Sequence, residues 1–409
     1  MHPVRRRLLA LLPGACAALL LAACVTPAGH ATPAGHATPV GHATSVAPVP
    51  TTAPGAGPGA GVPAGGTDAA GPPWAQVGPG WSVVVHTSVP SSGADHADPV
   101  GPFAVDLVSP SGGRWRVGTS VVQVDLRDIT SDGAHVLGVR TDANRPEVVE
   151  LDTRTGRWRD VAPGDGLTDL AYTRPSGRQV WVGRTTAYRS DGSTGATTLL
   201  RLDRTGGVTL RLEGSDAGGL VPTADGLLFT TGGPDGVEVH DNATGAVVRT
   251  VGLPAGHRSC SDAHAWSGSV LAMTCTLDPA DDSTDVLLLD ASTGTWTPLT
   301  HALPGVHDGT MGYRTAWPVP GGALAVAQVG CGVGPSGLLG PDGRVGRWLA
   351  WPGADASPDI VGVAGSTAYA QYVDCSSPAQ RLVAQDVRTH RVTTLLTAPW
   401  MSAVVVGDR

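Results

Sequence analysis

The side chains with the most chemical potential fall in two stretches. One is Gly256-His257-Arg258-Ser259-Cys260-Ser261-Asp262-Ala263-His264. The other runs from His301 through Gly305-Val306-His307-Asp308-Gly309 to Tyr313-Arg314. Imidazoles and carboxylates together suit Zn²⁺ or another transition metal. They suit a general acid–base pair equally well. Either chemistry needs His257, Asp262, His264, His307 and Asp308 to converge. A plainer arrangement, two polar surface loops steadied by a disulfide, accounts for the same residues, and on that reading no metal and no cofactor is assigned. Asp278, Asp281, Asp282 and Asp285 offer carboxylate oxygens of the kind that bind Ca²⁺, but their spacing is not that of an EF-hand loop, and they read as a solubilising loop. The chain has no Gly-x-Ser-x-Gly elbow, phosphate-binding loop, dinucleotide fingerprint or His-Glu-x-x-His.

Four cysteines remain once Cys16 and Cys24 are set aside: Cys260, Cys275, Cys331 and Cys375. An even number in an exported chain implies two disulfides, and no Cys-x-x-Cys points to zinc or thioredoxin-type chemistry. The net charge of −8, with 15% charged residues and no basic run past the first residues, excludes a nucleic-acid partner.

Export itself is read from the first residues. Arg5, Arg6 and Arg7 precede an apolar stretch from Leu8 to Leu21, which ends in Leu21-Ala22-Ala23-Cys24. The stretch is short for a membrane span, which needs about 20 apolar residues, and small residues before a cut suit signal-peptidase cleavage. The segment resembles a bacterial lipobox. That resemblance implies a signal peptide over 1–23 and a lipid (diacylglyceryl, palmitate-type) on Cys24, with the mature chain on the extracytoplasmic face of the cell membrane. The absence of lysine beside abundant Gly and Ala resembles actinobacterial coding bias. Residues 24–75 are nearly all Ala, Pro, Gly, Thr, Val and His, with the hexad Thr-Pro-Ala-Gly-His-Ala starting at Thr26 and again at Thr32. Frequent proline blocks ladders, and such small side chains cannot repay ordering. This is a spacer.

The elements that must position the polar stretches come from a repeat. A short β-branched strand, an Asp, a turn ending in Gly and a second strand recur. The clearest copies are Val148-Val149-Glu150-Leu151-Asp152-Thr153-Arg154-Thr155-Gly156-Arg157-Trp158 and Leu287-Leu288-Leu289-Asp290-Ala291-Ser292-Thr293-Gly294-Thr295-Trp296. Weaker copies centre on Asp106, Asp203, Asp241, Asp342 and Asp386, at spacings of 46, 51, 38, 49, 52 and 44 residues. The Asp can bond its own backbone, and the Gly can take positive φ, which fixes an antiparallel hairpin. Trp158 and Trp296 are expected to pack between neighbouring sheets. A second hairpin precedes each copy, for example at Ser131-Asp132-Gly133 and Pro175-Ser176-Gly177. Four strands (A to D) every 40–50 residues are the mark of a propeller blade. Residues 76–409 therefore read as an all-β, seven-bladed β-propeller of four-stranded antiparallel blades. Ser402-Ala403-Val404-Val405-Val406 supplies strand A of blade 1 and closes the ring. In this register Cys260–Cys275 and Cys331–Cys375 are the expected disulfides, other pairings being formally possible.

The repeats around Asp152 and Asp290 resemble the blade motif of quinoprotein-type and YVTN/WD40-like propellers. The resemblance implies fold. The adjacent cysteines of quinone-dependent enzymes and the sialidase Asp-box, Ser-x-Asp-x-Gly-x-x-Trp, are both absent. In propellers the D–A and B–C loops share a rim that often binds ligands, and both polar stretches fall on such loops. The reading is a cell-surface binding module for a protein, glycan or small ligand. The alternative is an extracytoplasmic hydrolase or lyase using the His/Asp groups around blade 5.

Overall fold

The computed structural model describes residues 71–89, 99–142, 145–186, 197–215, 219–233, 236–277, 283–300, 310–329, 332–351, 357–373 and 379–407. All belong to one compact unit, Val62–Arg409. Cys24, His307, Asp308, Cys331 and Cys375 lie outside the described residues.

Apart from a single 3-10 turn at Trp74–Gln76, every described element is a strand. In chain order these are β1 (Ser82–Thr87), β2 (Phe103–Val108), β3 (Arg114–Ser120), β4 (Val124–Ile129), β5 (His135–Asp142), β6 (Arg145–Asp152) and β7 (Arg157–Pro163). Then come β8 (Leu167–Tyr172), β9 (Gln179–Thr185), β10 (Thr197–Asp203), β11 (Val208–Ser215), β12 (Gly219–Pro222), β13 (Leu227–Gly233), β14 (Gly236–Asp241) and β15 (Val247–Val251). The remainder are β16 (His257–Ser267), β17 (Val270–Leu277), β18 (Thr284–Asp290), β19 (Thr295–Pro298), β20 (Thr310–Val319), β21 (Gly322–Val329), β22 (Gly332–Leu339), β23 (Val345–Trp348), β24 (Ser357–Ala364), β25 (Thr367–Val373), β26 (Gln380–Asp386), β27 (Val392–Ala398) and β28 (Trp400–Val405).

They form four-stranded antiparallel meanders: β4 to β7, β8 to β11, β12 to β15 and β24 to β27. A further sheet has the order β28-β1-β2-β3, with Val404 opposite Val83. The last sheet has eight strands, in which β16–β19 and β20–β23 are each antiparallel and are joined by one parallel pair, Thr284 with Gly312. The middle strands of each meander are packed on both faces, so they read as apolar runs rather than alternation. Val148, Val149 and Leu151 on β6, and Val180, Trp181 and Val182 on β9, are fully buried. The fourth strands carry the exposed residues, such as Val208 on β11 and Val247 and Val248 on β15.

The hairpins are set by side-chain acceptors. Asp152 Oδ1 accepts the N–H groups of Arg154 (2.9 Å) and Thr155 (3.1 Å), while the N–H of Gly156, at φ +70°, reaches the Asp152 carbonyl. A β-carbon on Gly156 would also collide with the Val117 carbonyl of the neighbouring sheet. Asp203, Asp241, Asp290 and Asp386 repeat the arrangement. Two copies differ from the sequence reading. Asp106 lies within β2, buried between His86 (2.9 Å) and Arg116 (2.6 Å), and the turn position belongs to Ser109, whose Oγ accepts the Gly113 N–H. Asp342 lies two residues past the matching site, Gly340, and accepts from the Arg344 N–H. In the last copy the left-handed residue is not Gly but His390, at φ +61°.

Neighbouring sheets are stapled through their first strands. Ser402 Oγ on β28 accepts the Leu126 N–H of β4 (2.9 Å), Asp128 on β4 accepts the Tyr172 N–H of β8 (2.8 Å), and Asp169 on β8 accepts the Leu220 N–H of β12 (2.6 Å). Trp158 and Trp296 sit half-buried on fourth strands and donate Nε1–H across the seam, to the Thr119 and Gly252 carbonyls (3.0 and 2.9 Å).

Candidate functional site

The polar stretch at 257–264 forms most of β16, and the strand separates its side chains. His257 faces Leu277 and His264 faces Ala272 on β17. Those partners are five residues apart on extended β17, which places the two histidines about 17 Å apart along the ladder. Cys260 faces Cys275, and the two form a disulfide with a Cα–Cα distance of 4.0 Å. His264 Nε2 donates to the Ala316 carbonyl on β20 at 2.6 Å, and its ring stacks on Trp317 at 4.2 Å. It is a packing histidine at the β16–β20 seam. Asp262 is exposed, with φ +46°. It stands within electrostatic reach of Asp359 on β24, which Arg314 on β20 also approaches at 3.9 Å. Burial pushes the Asp359 carboxyl up; Arg314 opposes the shift and the Asp262 charge adds to it. The strand therefore sets His257 and His264 apart, while His307 and Asp308, the other members of the arrangement a metal or acid–base pair would need, lie outside the described residues. Among the described residues no group of three His, Cys, Asp or Glu side chains is placed to hold a metal ion.

The structure instead builds a polar cavity of about 480 Å³ between the β4–β7 and β8–β11 sheets. Its walls come from two first-to-second-strand turns: Thr130, Ser131 and Asp132 on one side, and Arg174, Pro175, Ser176, Gly177 and Arg178 on the other. His135, at the start of β5, and Arg204, in the β10–β11 turn, complete the wall. The cavity thus opens on the rim opposite the connections the sequence reading favoured.

Several wall residues are held by identifiable partners. Arg174 is buried, and its Nη2 donates to both Asp128 oxygens (2.7 and 2.9 Å) and to the Ile129 carbonyl (3.2 Å). Its own carbonyl accepts from Asn242 Nδ2 (3.1 Å), whose Oδ1 accepts the indole N–H of fully buried Trp181 (2.6 Å). Arg174 therefore ties three sheets together. Below the cavity Glu150 is buried, accepting from Tyr172 Oη (2.9 Å) and Arg159 Nε (2.8 Å). Arg204 Nε lies 3.6 Å from the same carboxylate, and Arg204 Nη2 donates to the Gly177 carbonyl (2.9 Å). His135 Nδ1 is 3.9 Å from Glu150. Burial, and then the Arg204 charge, hold the His135 imidazole below its usual pKa. Burial also pushes up Asp132, but the Thr130 hydroxyl and the Ala134 N–H outweigh it and keep that carboxyl low.

Sequence reasoning passed over Arg174, Arg178, Arg204, His135 and Glu150. One signal was present. Glu150 occupies a position that is Val239, Leu288 and Ala384 in three other copies and Arg201 in a fourth, so a buried carboxylate there departs from the apolar pattern.

No protein-family model and no curated protein matches the chain. Solved structures do resemble it. A prolyl endopeptidase aligns over 79% of this chain at 14% identity and TM-score 0.51, and the chain spans 50% of that enzyme's length. The propeller domain of the trilobed protease from Pyrococcus furiosus, which has an open velcro topology, aligns over 72% of this chain and 87% of its own at 11% identity and TM-score 0.51. Prolyl oligopeptidase B from Galerina marginata aligns over 75% of this chain and 48% of its own at 11% identity and TM-score 0.51. Likeness at this identity establishes architecture alone, and with the four-stranded antiparallel sheets described above it makes this chain a β-propeller.

Proposed function

We propose that the chain is a lipid-anchored, seven-bladed propeller that works as a binding module on the extracytoplasmic face of the membrane, tethered at Cys24 through residues 24–75. The eight-stranded sheet counts as two blades joined at Thr284 and Gly312. Support for a latched ring comes from the first strands: β28, β4, β8, β12, β16, β20 and β24 neighbour one another in turn, and β24 comes back to β28. The latch also has the bonding of an ordinary turn. Val406 N–H reaches the Trp81 carbonyl and Gly80 N–H reaches the Val406 carbonyl (2.8 and 2.7 Å), as Thr223 and Gly226 do with Leu227 and Thr223 in an unbroken turn. Such pairing leaves no open edge on β1.

The observation that carries the binding reading is the cavity, in which Arg174 and Arg204 are fixed on sheet ends by buried Asp128 and Glu150, as a pre-formed ligand site requires. The separation of His257 from His264, about 17 Å along the β16–β17 ladder, counts against a hydrolase or lyase site that uses both of them. The ligand class is open to a protein, glycan or small molecule.

Fractionation and surface proteolysis of cells making the wild-type chain and Cys24→Ala test the anchor. Membrane-bound, surface-exposed wild type and a released variant are expected; an unchanged distribution of Cys24→Ala refutes it. Loss of residues 400–409 should abolish cooperative melting, and a truncation that melts like the full chain removes the latch. Turnover of a substrate by purified protein, abolished by His307→Ala, overturns the binding reading.

A further inference from the structure

We infer that the cavity between the β4–β7 and β8–β11 sheets is an oxyanion site, taking a carboxylate or phosphate group of a small ligand on Arg178 and Arg204. The inference rests on the binding reading above and gives it a chemical class.

The first argument is charge. Three guanidiniums and one imidazole line the cavity against a single carboxylate, Asp132. That carboxylate is already engaged, accepting from Thr130 Oγ1 (2.7 Å) and the Ala134 N–H (3.1 Å), with Arg154 at 3.8 Å. Arg174 is matched by Asp128. Arg178 is exposed and has no carboxylate partner among the described residues. Arg204 must share Glu150 with Arg159, which holds it more closely. Asp203 also stands near Arg159, and Asp152 near His135, so the charge argument rests on Arg178, the exposed guanidinium of the wall, which favours an anion there over a cation.

The second argument is geometry. Guanidinium forks match carboxylate and phosphate oxygens, and hydrogen bonds to them are the strong kind. Arg204 is pre-positioned by the Gly177 carbonyl and by Glu150, so little ordering remains to be done on binding. Among the described residues the wall holds no Phe, Tyr or Trp ring, so it lacks the large stacking platform that a nucleobase uses. A cavity of about 480 Å³ admits a small organic anion.

Calorimetric titration of the purified full chain with sodium phosphate, and separately with citrate, at constant ionic strength tests this. A saturable response with a dissociation constant of about 1 mM or below is expected for at least one anion. The anion that binds more tightly identifies the phosphate or the carboxylate source. Arg178→Gln should weaken that binding about tenfold or more, the loss of one charge-assisted contact. Arg204→Gln should do the same, and because Arg204 also meets Glu150, Arg178→Gln decides if that variant misfolds. Arg388→Gln, an exposed arginine in the last turn, should bind like wild type. No saturable response with either anion, unchanged binding in Arg178→Gln, or equal weakening in Arg388→Gln overturns the inference. Those outcomes leave the membrane anchor and the surface-binding reading to their own tests.

Discussion

Asp128 is where the seam under the cavity is most vulnerable. Its carboxylate accepts the Ile129 N–H (2.8 Å), the Tyr172 N–H (2.8 Å) and both bonds from Arg174 Nη2. Asp128→Leu leaves a guanidinium buried without its counter-charge, which costs about 3–5 kcal/mol. It also orphans the Tyr172 N–H, itself worth about 1–3 kcal/mol. The two overlap because the residues share one carboxylate, so a loss of about 4 kcal/mol is expected. Arg174→Met should cost less, because Asp128 keeps its two backbone donors. The double variant Asp128→Leu/Arg174→Met should be more stable than Asp128→Leu alone by about 2 kcal/mol, since replacing both members of a buried pair is far cheaper than breaking it. Equilibrium urea unfolding, followed by tryptophan fluorescence, measures all three. A loss below about 1 kcal/mol for Asp128→Leu, or a double variant as unstable as the sum of the singles, refutes the account of this seam.

Three further outcomes follow from single residues. Burial raises the Asp169 pKa to about 6, with Leu220 and Leu170 N–H groups opposing the shift. Because this exceeds the unfolded value of 3.8, the contribution favours folding below about pH 4 and is lost as pH rises through 6. Asp169→Asn should therefore gain on wild type between pH 4 and 7 by up to about 3 kcal/mol, and a pH-independent difference in unfolding free energy would contradict this. His390→Gly should stabilise by about 0.5–1 kcal/mol by relieving a left-handed non-glycine residue, visible as a raised urea midpoint, whereas a lowered midpoint would show that the His390 side chain matters. Trp158→Phe should cost about 1–2 kcal/mol, because the ring area is mostly kept and the bond to the Thr119 carbonyl is lost; no change in melting would mean that the indole N–H is no seam clamp.

The fold was legible because its signals are local. Asp152 and Gly156 make one turn with no help from distant residues beyond the Val117 carbonyl, and Asp203, Asp241, Asp290 and Asp386 announce the same turn. Asp106 misled for a physical reason: an Asp within a β-branched run is also what a strand shows when it buries a His86–Asp106–Arg116 cluster. Register predicted the Cys260–Cys275 disulfide, since direct cross-strand neighbours follow from strand length alone. The cavity was not legible in the same way. Thr130 to His135, Arg174 to Arg178 and Arg204 are scattered along the chain and meet only when two sheets pack. The stretch at 257–264 erred in the opposite direction. Density of polar residues along a sequence suggests a cluster, but an extended strand spreads them at about 3.3 Å per residue.

The polar seam also bears on why the cavity lies where it does. At the position of Glu150 three other copies carry Val239, Leu288 and Ala384, while the Asp203 copy carries Arg201. Burying Glu150, Asp128 and Arg174 costs desolvation that their pairing at best roughly offsets, so the β4–β8 seam gains no stability over an apolar one. What these ions do gain is position. Asp128 fixes Arg174 and with it the turn that carries Arg178, while Glu150 fixes Arg204 and Tyr172. A charged network that adds nothing to packing but orients the guanidiniums of Arg174 and Arg204 on one wall makes sense as the support of a recognition surface. On that logic Glu150→Leu, which restores the apolar residue of three other copies, should leave the anchor and the latch intact while releasing Arg204. The expected result is a chain that still folds cooperatively and binds the anion about tenfold less tightly. A Glu150→Leu chain that binds as wild type does would show that the network serves the fold alone.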